Sequence, residues 1–183
     1  STSKQAFTLA SRRLLLLCTN RRLGAPRTIE YEGERDYTGL SIRGLSGDNV
    51  GVQWKGAKVA VLGHGPYAIE QIRTALEHDA KHCEVIVRRH GLVCPQILDY
   101  LNLVRPFTGD EFAHQVDGSG LMLQLWQSAY TTAGATPPET WKEGIFRPEG
   151  HSVSVSDIYF IGHYLKLIAT QRGEVLRFLA NGV

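Results

Sequence analysis

A glycine-rich turn after a short apolar segment is the feature that most constrains how this chain folds. Residues 58–62 (KVAVL) form an apolar run with β-branched side chains, which is typical of a parallel strand buried on both faces. The turn 63–68 (GHGPYA) follows, and apolar residues then recur at helical spacing to about residue 78. Residues 84–89 (EVIVRR) predict a second strand. The order strand, turn, helix, strand predicts the start of a βαβ unit.

The turn has the GxGxxA pattern of a phosphate-binding loop. Gly63 permits a tight bend, Gly65 lets backbone approach a pyrophosphate, and Ala68 keeps the helix close to the strand. Pro66 suits the first helical turn, where free backbone N–H groups and the helix dipole attract an anion. The alternative is a glycine turn that binds nothing, and the histidine and tyrosine within the turn are bulky neighbours for a phosphate.

The end of the second predicted strand indicates which nucleotide would be preferred. An acidic residue there suits the ribose hydroxyls of NAD, whereas arginine suits the 2′-phosphate of NADP. The chain has Arg88 and Arg89 at this end, while Glu84 lies at the opposite end of the strand. The guanidinium group offers a planar fork of donors for phosphate, so NADPH is predicted over NADH. The alternative is a pair of solvated surface cations.

The rest of the chain predicts mainly helices. Residues 95–104 and 120–132 each have a helical apolar pattern. Residues 154–157 (SVSD) predict a helix start, and the apolar stripe that follows predicts a helix through Ile168. Residues 175–179 are a candidate third strand. The predicted class is therefore α/β, with a partial Rossmann-type parallel sheet (three to four strands) and a mainly helical C-terminal half.

Two regions are predicted along the chain. Residues 1–50 are read as a hinge strand and an irregular connector, because turn-forming dipeptides are frequent after residue 20. Residues 51–183 are predicted to be a Rossmann-like NADP-binding domain with a helical insertion at about 106–153.

The composition sets broad limits on function. The chain has 183 residues and a net charge of +2, which is too mild to indicate nucleic acid as a partner. No apolar run reaches the length of a transmembrane helix. The cysteines, Cys18, Cys83 and Cys94, are odd in number and form no CxxC pair. They are expected to be reduced thiols in an intracellular, reducing compartment, either the cytoplasm or an organelle such as a plastid.

Few side chains outside the turn suggest chemistry. His78 and His82 are four positions apart, but the helix is expected to end between them and no further ligand completes a metal site. The aromatic residues at 126–130 and 159–164 lie at helical spacing, so they are expected in the core. No catalytic acid, base or nucleophile is predicted, which suits a domain whose cofactor performs the chemistry.

Several segments resemble the flavin-containing monooxygenase family. Residues 14–20 (LLLLCTN) resemble the strand and hinge that link its two nucleotide domains, with Asn20 in place of the hinge glycine. Residues 37–43 (YTGLSIR) resemble its Phe-x-Gly-x-x-x-His fingerprint, with tyrosine and Arg43 replacing Phe and His. Residues 54–59 (WKGAKV) resemble the lead-in to its NADPH turn. The resemblance covers most of the chain, and is strongest from residue 14 to residue 106 and again from residue 154 to residue 175.

The resemblance implies a function and a set of site residues. It implies that NADPH would bind here and reduce FAD, which would activate oxygen for substrate oxygenation; FAD is expected only if the missing flavin-binding half is present. The alternative is a catalytically inactive domain that serves as an accessory subunit, with a protein partner covering the truncated faces. The candidate cofactor-binding residues are Gly63, His64, Gly65, Pro66, Tyr67, Ala68, Glu70, Arg88, Arg89 and Arg43.

Overall fold

The described part of the chain is an α/β structure with a parallel sheet. The computed structural model describes residues 29–45, 47–98, 119–139, 141 and 154–183. Its elements lie within Tyr31–Val183, one of the two units into which the chain divides. In chain order they are a 3-10 helix (Glu34–Asp36), β1 (Lys58–Leu62), α1 (Pro66–Glu77), β2 (His82–Val87), β3 (Val93–Cys94), α2 (Ser119–Ala133), β4 (Ser154–Val155), α3 (Asp157–Tyr164) and β5 (Ile168–Arg172).

The main sheet has the strand order β1-β2-β5, and both pairings are parallel. Val61 lies beside Val85 in the register, and Val85 lies beside Thr170. A second, two-stranded parallel sheet joins β3 to β4. Helix α1 connects two adjacent parallel strands, as a βαβ unit requires. The predicted α/β class with a partial Rossmann-like sheet is therefore confirmed.

One face of the main sheet is buried and the other is partly exposed. Val61, Val85 and Ile168 are buried on the inner face, where α1 and α3 pack. On the other face of β1, Ala60 is exposed and Leu62 is 39% exposed. The expectation that β1 is buried on both faces is wrong for the described part of the chain, because α1 and α3 both cover the inner face.

Helix α1 follows the predicted periodicity. Ile69, Ile72 and Ala75 are buried and join the core. The helix ends at Glu77, and Asp79 adopts a left-handed φ of 63° as the chain turns towards β2. The predicted helix end near residue 78 is therefore confirmed.

The chain between α3 and β5 differs from the prediction. The helix predicted through Ile168 ends at the last residue of α3, and the third strand is β5 rather than residues 175–179. Lys166 adopts a left-handed φ of 59°, and the Leu167 N–H bonds the Gly162 carbonyl at 2.8 Å. This closes the helix end and turns the chain before Ile168, so the residues after the turn pair with β2 instead of continuing the helix.

The segment predicted as a third strand packs elsewhere. Arg177 forms an isolated parallel bridge with Glu32, and the Phe178 N–H donates to the Glu32 carbonyl at 2.7 Å. The rings of Tyr31 and Tyr37 each lie 5.5 Å from the Phe178 ring, centroid to centroid. The segment thus pairs with the first described residues of the chain, outside the main sheet.

The aromatic residues predicted in the core are buried with one exception. Trp126, Tyr130, Tyr159 and Phe160 are buried. Tyr130 packs edge-on against Phe160, with ring centroids 5.0 Å apart. Tyr164 is 66% exposed, so its assignment to the core is wrong. It is the last residue of α3.

Some predictions fall on residues outside the described ranges. These are the hinge segment at 14–20, Cys18, the part of the 95–104 helix after residue 98, and most of the insertion at 106–153. Residues 96–98 are helical, and α2 matches the helix predicted at 120–132. Cys83 and Cys94 are buried, and neither forms a disulfide within the described ranges. In the part of the chain that is described, no helix has the length and apolar character needed to cross a membrane.

Candidate dinucleotide site

The turn between β1 and α1 has the backbone geometry of an anion-binding loop. Gly63 has a φ of +112°, a conformation that side chains strongly disfavour, and its N–H donates to the Ile86 carbonyl at 2.9 Å. Gly65 is the N-cap of α1 with extended backbone, and no side chain caps the helix there. A Cβ added at Gly65 would meet no described atom within 4 Å. The free N–H groups of the first helical turn therefore face an open space.

The remaining residues of the turn divide between the core and the surface. Ala68 lies beneath the bend, because a Cβ added at Gly63 would be 4.0 Å from the Ala68 Cβ. Tyr67 is 73% exposed on the first turn of α1, so its ring lies outside the core. Glu70 is exposed and forms an ion pair with Arg73 at 3.7 Å. Glu70 therefore lies on the solvent side of α1.

His64 points away from the turn and into the core. Its side chain is buried, with ring edges against Tyr159 and His90. Its Nδ1 accepts the Gly91 N–H at 3.1 Å, and a Cβ added at Gly91 would be only 2.8 Å from the His64 carbonyl oxygen. His64 therefore contributes only its backbone to the turn, while its ring fastens the turn to the loop after β2. No sequence signal distinguished these two roles.

A buried chain of hydrogen bonds runs on from His64. Because Nδ1 accepts from Gly91, the ring hydrogen is on Nε2, which donates to the Tyr159 hydroxyl at 2.9 Å. The His163 Nδ1 donates to the Tyr159 carbonyl at 2.9 Å, so its neutral Nε2 accepts from the Thr170 hydroxyl at 3.0 Å. These hydrogen bonds link the turn, α3 and β5.

Burial fixes the protonation states along this chain. Burial, helped by the neighbouring histidines His90 and His163, lowers the pKa of His64 to about 4. Burial also lowers the pKa of His163 and raises that of Tyr159. The two imidazoles and the phenol are therefore neutral near pH 7, as the hydrogen-bond directions require.

The predicted arginines are placed differently from one another. Arg88 and Arg89 follow the last residue of β2 and are exposed. The Arg88 Nε lies 3.9 Å from Glu174, a weak exposed pair that leaves the guanidinium available. Arg43 instead forms an ion pair with Glu34 at 2.7 Å, which engages one edge of its guanidinium. Arg88 and Arg89 thus lie at the carboxyl edge of the sheet, and Arg43 is tied to the 3-10 helix.

A second group of polar residues lies at the same edge of the sheet. Glu139 accepts the His90 N–H at 3.1 Å and the His90 Nδ1–H at 3.2 Å, and Arg172 lies 3.7 Å from the same carboxylate. Burial opposes ionisation of Glu139, but the hydrogen bonds from His90 and the nearby positive charge together outweigh it and lower its pKa. Sequence reasoning missed this group, because its members are separated by dozens of positions and form no motif.

This group borders a cavity of about 540 Å³. The cavity wall includes Tyr130, Trp141 and Pro138 besides the polar residues. Ligand cavities in proteins commonly occupy about 300–1,000 Å³. The cavity is therefore large enough for a small molecule.

Comparison with known proteins assigns no family. No protein-family model matches the chain, and no curated protein matches it. The functional argument therefore depends on the geometry of the turn and of the sheet edge.

Proposed function

We propose that this chain binds NADPH, with the pyrophosphate on the turn between β1 and α1. The observation that carries the proposal is the open space at Gly65, at the N-terminus of a helix that directly follows a parallel strand. Gly65 has no side chain to fill that space, so the backbone can approach phosphate oxygens. The positive φ of Gly63 supports the same role, because it lets the chain bend tightly from β1 into the N-terminus of α1.

The preference for NADPH over NADH depends on Arg88. Strand β2 ends one residue before it, and in dinucleotide folds this position lies near the adenosine ribose. Its guanidinium is largely exposed and only weakly paired, so it can bind a 2′-phosphate. Arg89 adds positive charge at the same edge.

The proposed biochemical role is the NADPH-binding part of a flavin-dependent monooxygenase. Bound NADPH would supply a hydride to a flavin. The residues of this chain would hold the pyrophosphate at Gly63 and Gly65 and the 2′-phosphate at Arg88. The flavin pocket would come from a half of the enzyme that the resemblance places before the hinge.

A second candidate function is that of an accessory subunit that has lost catalysis. The observation that favours it is the partly exposed outer face of the main sheet, where Ala60 and Leu62 are accessible. Sheets of parallel strands are normally covered on both faces, so a protein partner could bury this face.

Titration of the whole chain with NADPH tests the dinucleotide site. Gly65→Val fills the open space and is expected to weaken NADPH binding at least about tenfold, which corresponds to about 1.4 kcal/mol. Gly182→Val is the matched control, since a Cβ there also meets no described atom and the residue lies in the C-terminal turn. Equal affinity in both variants would show that the turn is not the site.

Replacement of Arg88 by an acidic residue tests the preference for NADPH over NADH. Arg88→Glu is expected to weaken NADPH binding much more than NADH binding, whereas Arg35→Glu, at another exposed arginine, should change neither. Equal loss of both nucleotides in Arg88→Glu would defeat the 2′-phosphate assignment.

Absorbance and mass of the natively purified complex separate the two candidate functions. A flavin spectrum in a complex that also binds NADPH supports the monooxygenase. A flavin-free complex with a stable protein partner and no NADPH binding supports the accessory subunit.

A further inference from the structure

The two parts of the candidate dinucleotide site come from different loops. The pyrophosphate turn lies between β1 and α1, whereas Arg88 and Arg89 lie in the loop between β2 and β3. A ligand that contacts both parts loses less free energy to ordering when the protein already holds the two loops at the right spacing. The contacts that set this spacing therefore bear on nucleotide binding.

The loop after β2 is anchored on both sides of the two arginines. On one side, the Gly173 N–H donates to the Val87 carbonyl at 2.8 Å. On the other side, the His90 N–H donates to the Glu139 carboxylate at 3.1 Å. Only the two arginines lie between these anchored residues, so the backbone that carries their exposed side chains is held at both ends.

His64 and Gly91 connect this loop directly to the turn. His64 lies between the two glycines of the turn, and the Nδ1 of its buried ring accepts the Gly91 N–H at 3.1 Å. The two backbones are also close, because a Cβ added at Gly91 would lie 2.8 Å from the His64 carbonyl oxygen. Gly91 is thus both the donor of the connecting bond and the residue that permits the close approach.

We propose that His64 is a positioning residue for nucleotide selection: its bond to Gly91 sets the spacing between the pyrophosphate turn and Arg88, and with it the preference for NADPH over NADH. The inference rests on the proposed function and adds to it a residue whose ring acts through the loop. NADH lacks the 2′-phosphate and makes no use of Arg88 in this way. A change in the spacing should therefore weaken NADPH binding more than NADH binding.

Two substitutions at His64 separate this bond from the other contacts of the ring. His64→Leu fills the buried space without an acceptor, whereas His64→Asn places an acceptor oxygen on Cγ, the atom that bears Nδ1 in histidine. Both variants lose the bond between Nε2 and the Tyr159 hydroxyl, so they differ in the acceptor that they offer to Gly91. Calorimetric titration of the whole chain with NADPH and with NADH measures the ratio of the two affinities.

The ratio of NADPH affinity to NADH affinity is expected to fall at least about tenfold in His64→Leu. In His64→Asn it should stay within about threefold of the wild-type ratio, because the bond to Gly91 is kept. Gly162→Ala is the control for lost stability and should leave the ratio unchanged, because its added Cβ meets Ile168 and Leu76 rather than either loop. Circular dichroism verifies that each variant is folded.

Gly91→Ala tests the close approach independently of the histidine ring. The added Cβ would press on the His64 carbonyl oxygen and move the loop away from the turn, so a similar loss of preference for NADPH is expected. Gly182→Ala, where a Cβ meets no described atom, is the matched control and should leave the ratio unchanged.

Three outcomes would overturn the role of His64, and they differ in what they leave standing. Equal affinity ratios in the wild type, His64→Leu and Gly91→Ala would overturn it while leaving the dinucleotide site in place. A loss of preference as large in His64→Asn as in His64→Leu would also overturn it, since the bond to Gly91 would not be the cause. A wild-type chain that bound neither nucleotide would contradict the proposed function, and this inference with it.

Discussion

The His64 Nε2 lies 2.9 Å from the Tyr159 hydroxyl, although the two residues are 95 positions apart in the sequence. The contact fastens the glycine-rich turn to α3 from inside the core. Both side chains are buried, so neither can exchange the bond for one with water. The shape of the candidate dinucleotide turn thus depends on packing beneath it.

Removing the Tyr159 hydroxyl is expected to destabilise the protein. Tyr159→Phe leaves the His64 Nε2–H without its acceptor, which should lower the free energy of unfolding by about 1–3 kcal/mol. Urea unfolding followed by circular dichroism measures the change. Tyr164→Phe, at an exposed tyrosine of the same helix, should change stability by less than about 0.5 kcal/mol. Equal effects would show that the buried bond contributes nothing.

Stability is expected to fall as the pH drops below about 6.5. The folded protein holds the His64 pKa at about 4, below the ordinary value of 6.5, so the unfolded chain binds a proton first. Above pH 6.5 the lowered pKa of His64 costs no stability. As the pH falls from 6.5 to 4, the free energy of unfolding decreases by up to about 3 kcal/mol, and below pH 4 His64 causes no further decrease. The lowered pKa of His163 acts in the same direction.

Comparison of unfolding at several pH values with a His64→Gln variant isolates this contribution. In the variant, the free energy of unfolding should change less between pH 4 and 6.5. The loss of stability at low pH that comes from protonation of Glu139 should remain, because the pKa of Glu139 is also lowered in the folded protein. An NMR titration that gave His64 a pKa near 6.5 would contradict the assignment.

Helix α3 approaches the sheet closely at Gly162. A Cβ there would be 2.4 Å from the Ile168 Cδ1 and 3.0 Å from the Leu76 Cδ1. Gly162→Ala is therefore expected to destabilise the protein by about 1–3 kcal/mol in thermal or urea unfolding. The cost should be smaller in an Ile168→Val background, which removes the closest atom. Gly173→Ala, where a Cβ meets no described atom, serves as the control.

The two glycines of the turn are expected to respond differently to alanine. Gly63→Ala forces a side chain into a φ of +112° and should lower the free energy of unfolding by about 1–3 kcal/mol. Gly65→Ala has extended backbone and open space, so its stability should change by less than about 0.5 kcal/mol. Unfolding of both variants in urea tests this. Equal destabilisation would mean that the turn differs from the described geometry.

The βαβ start could be predicted because its signals are local. The residues of β1, α1 and β2 carry their periodicity within one short stretch, and Gly63 stands where the backbone needs a positive φ. The third strand was predicted at residues 175–179 instead of at β5, because the helical pattern of apolar residues that starts at residue 158 continues to Ile168. The chain instead turns at Lys166, whose left-handed conformation no sequence pattern signalled.

The sequence by itself determined the α/β class, the glycine-rich turn and the exposed arginines after β2, because each follows from neighbouring residues. Only the tertiary structure decided that the His64 ring enters the core, that β5 joins β2, and that His90, Glu139 and Arg172 meet beside a cavity. These contacts join residues far apart in the chain. Their formation depends on how the helices pack on one face of the sheet, which no local pattern encodes.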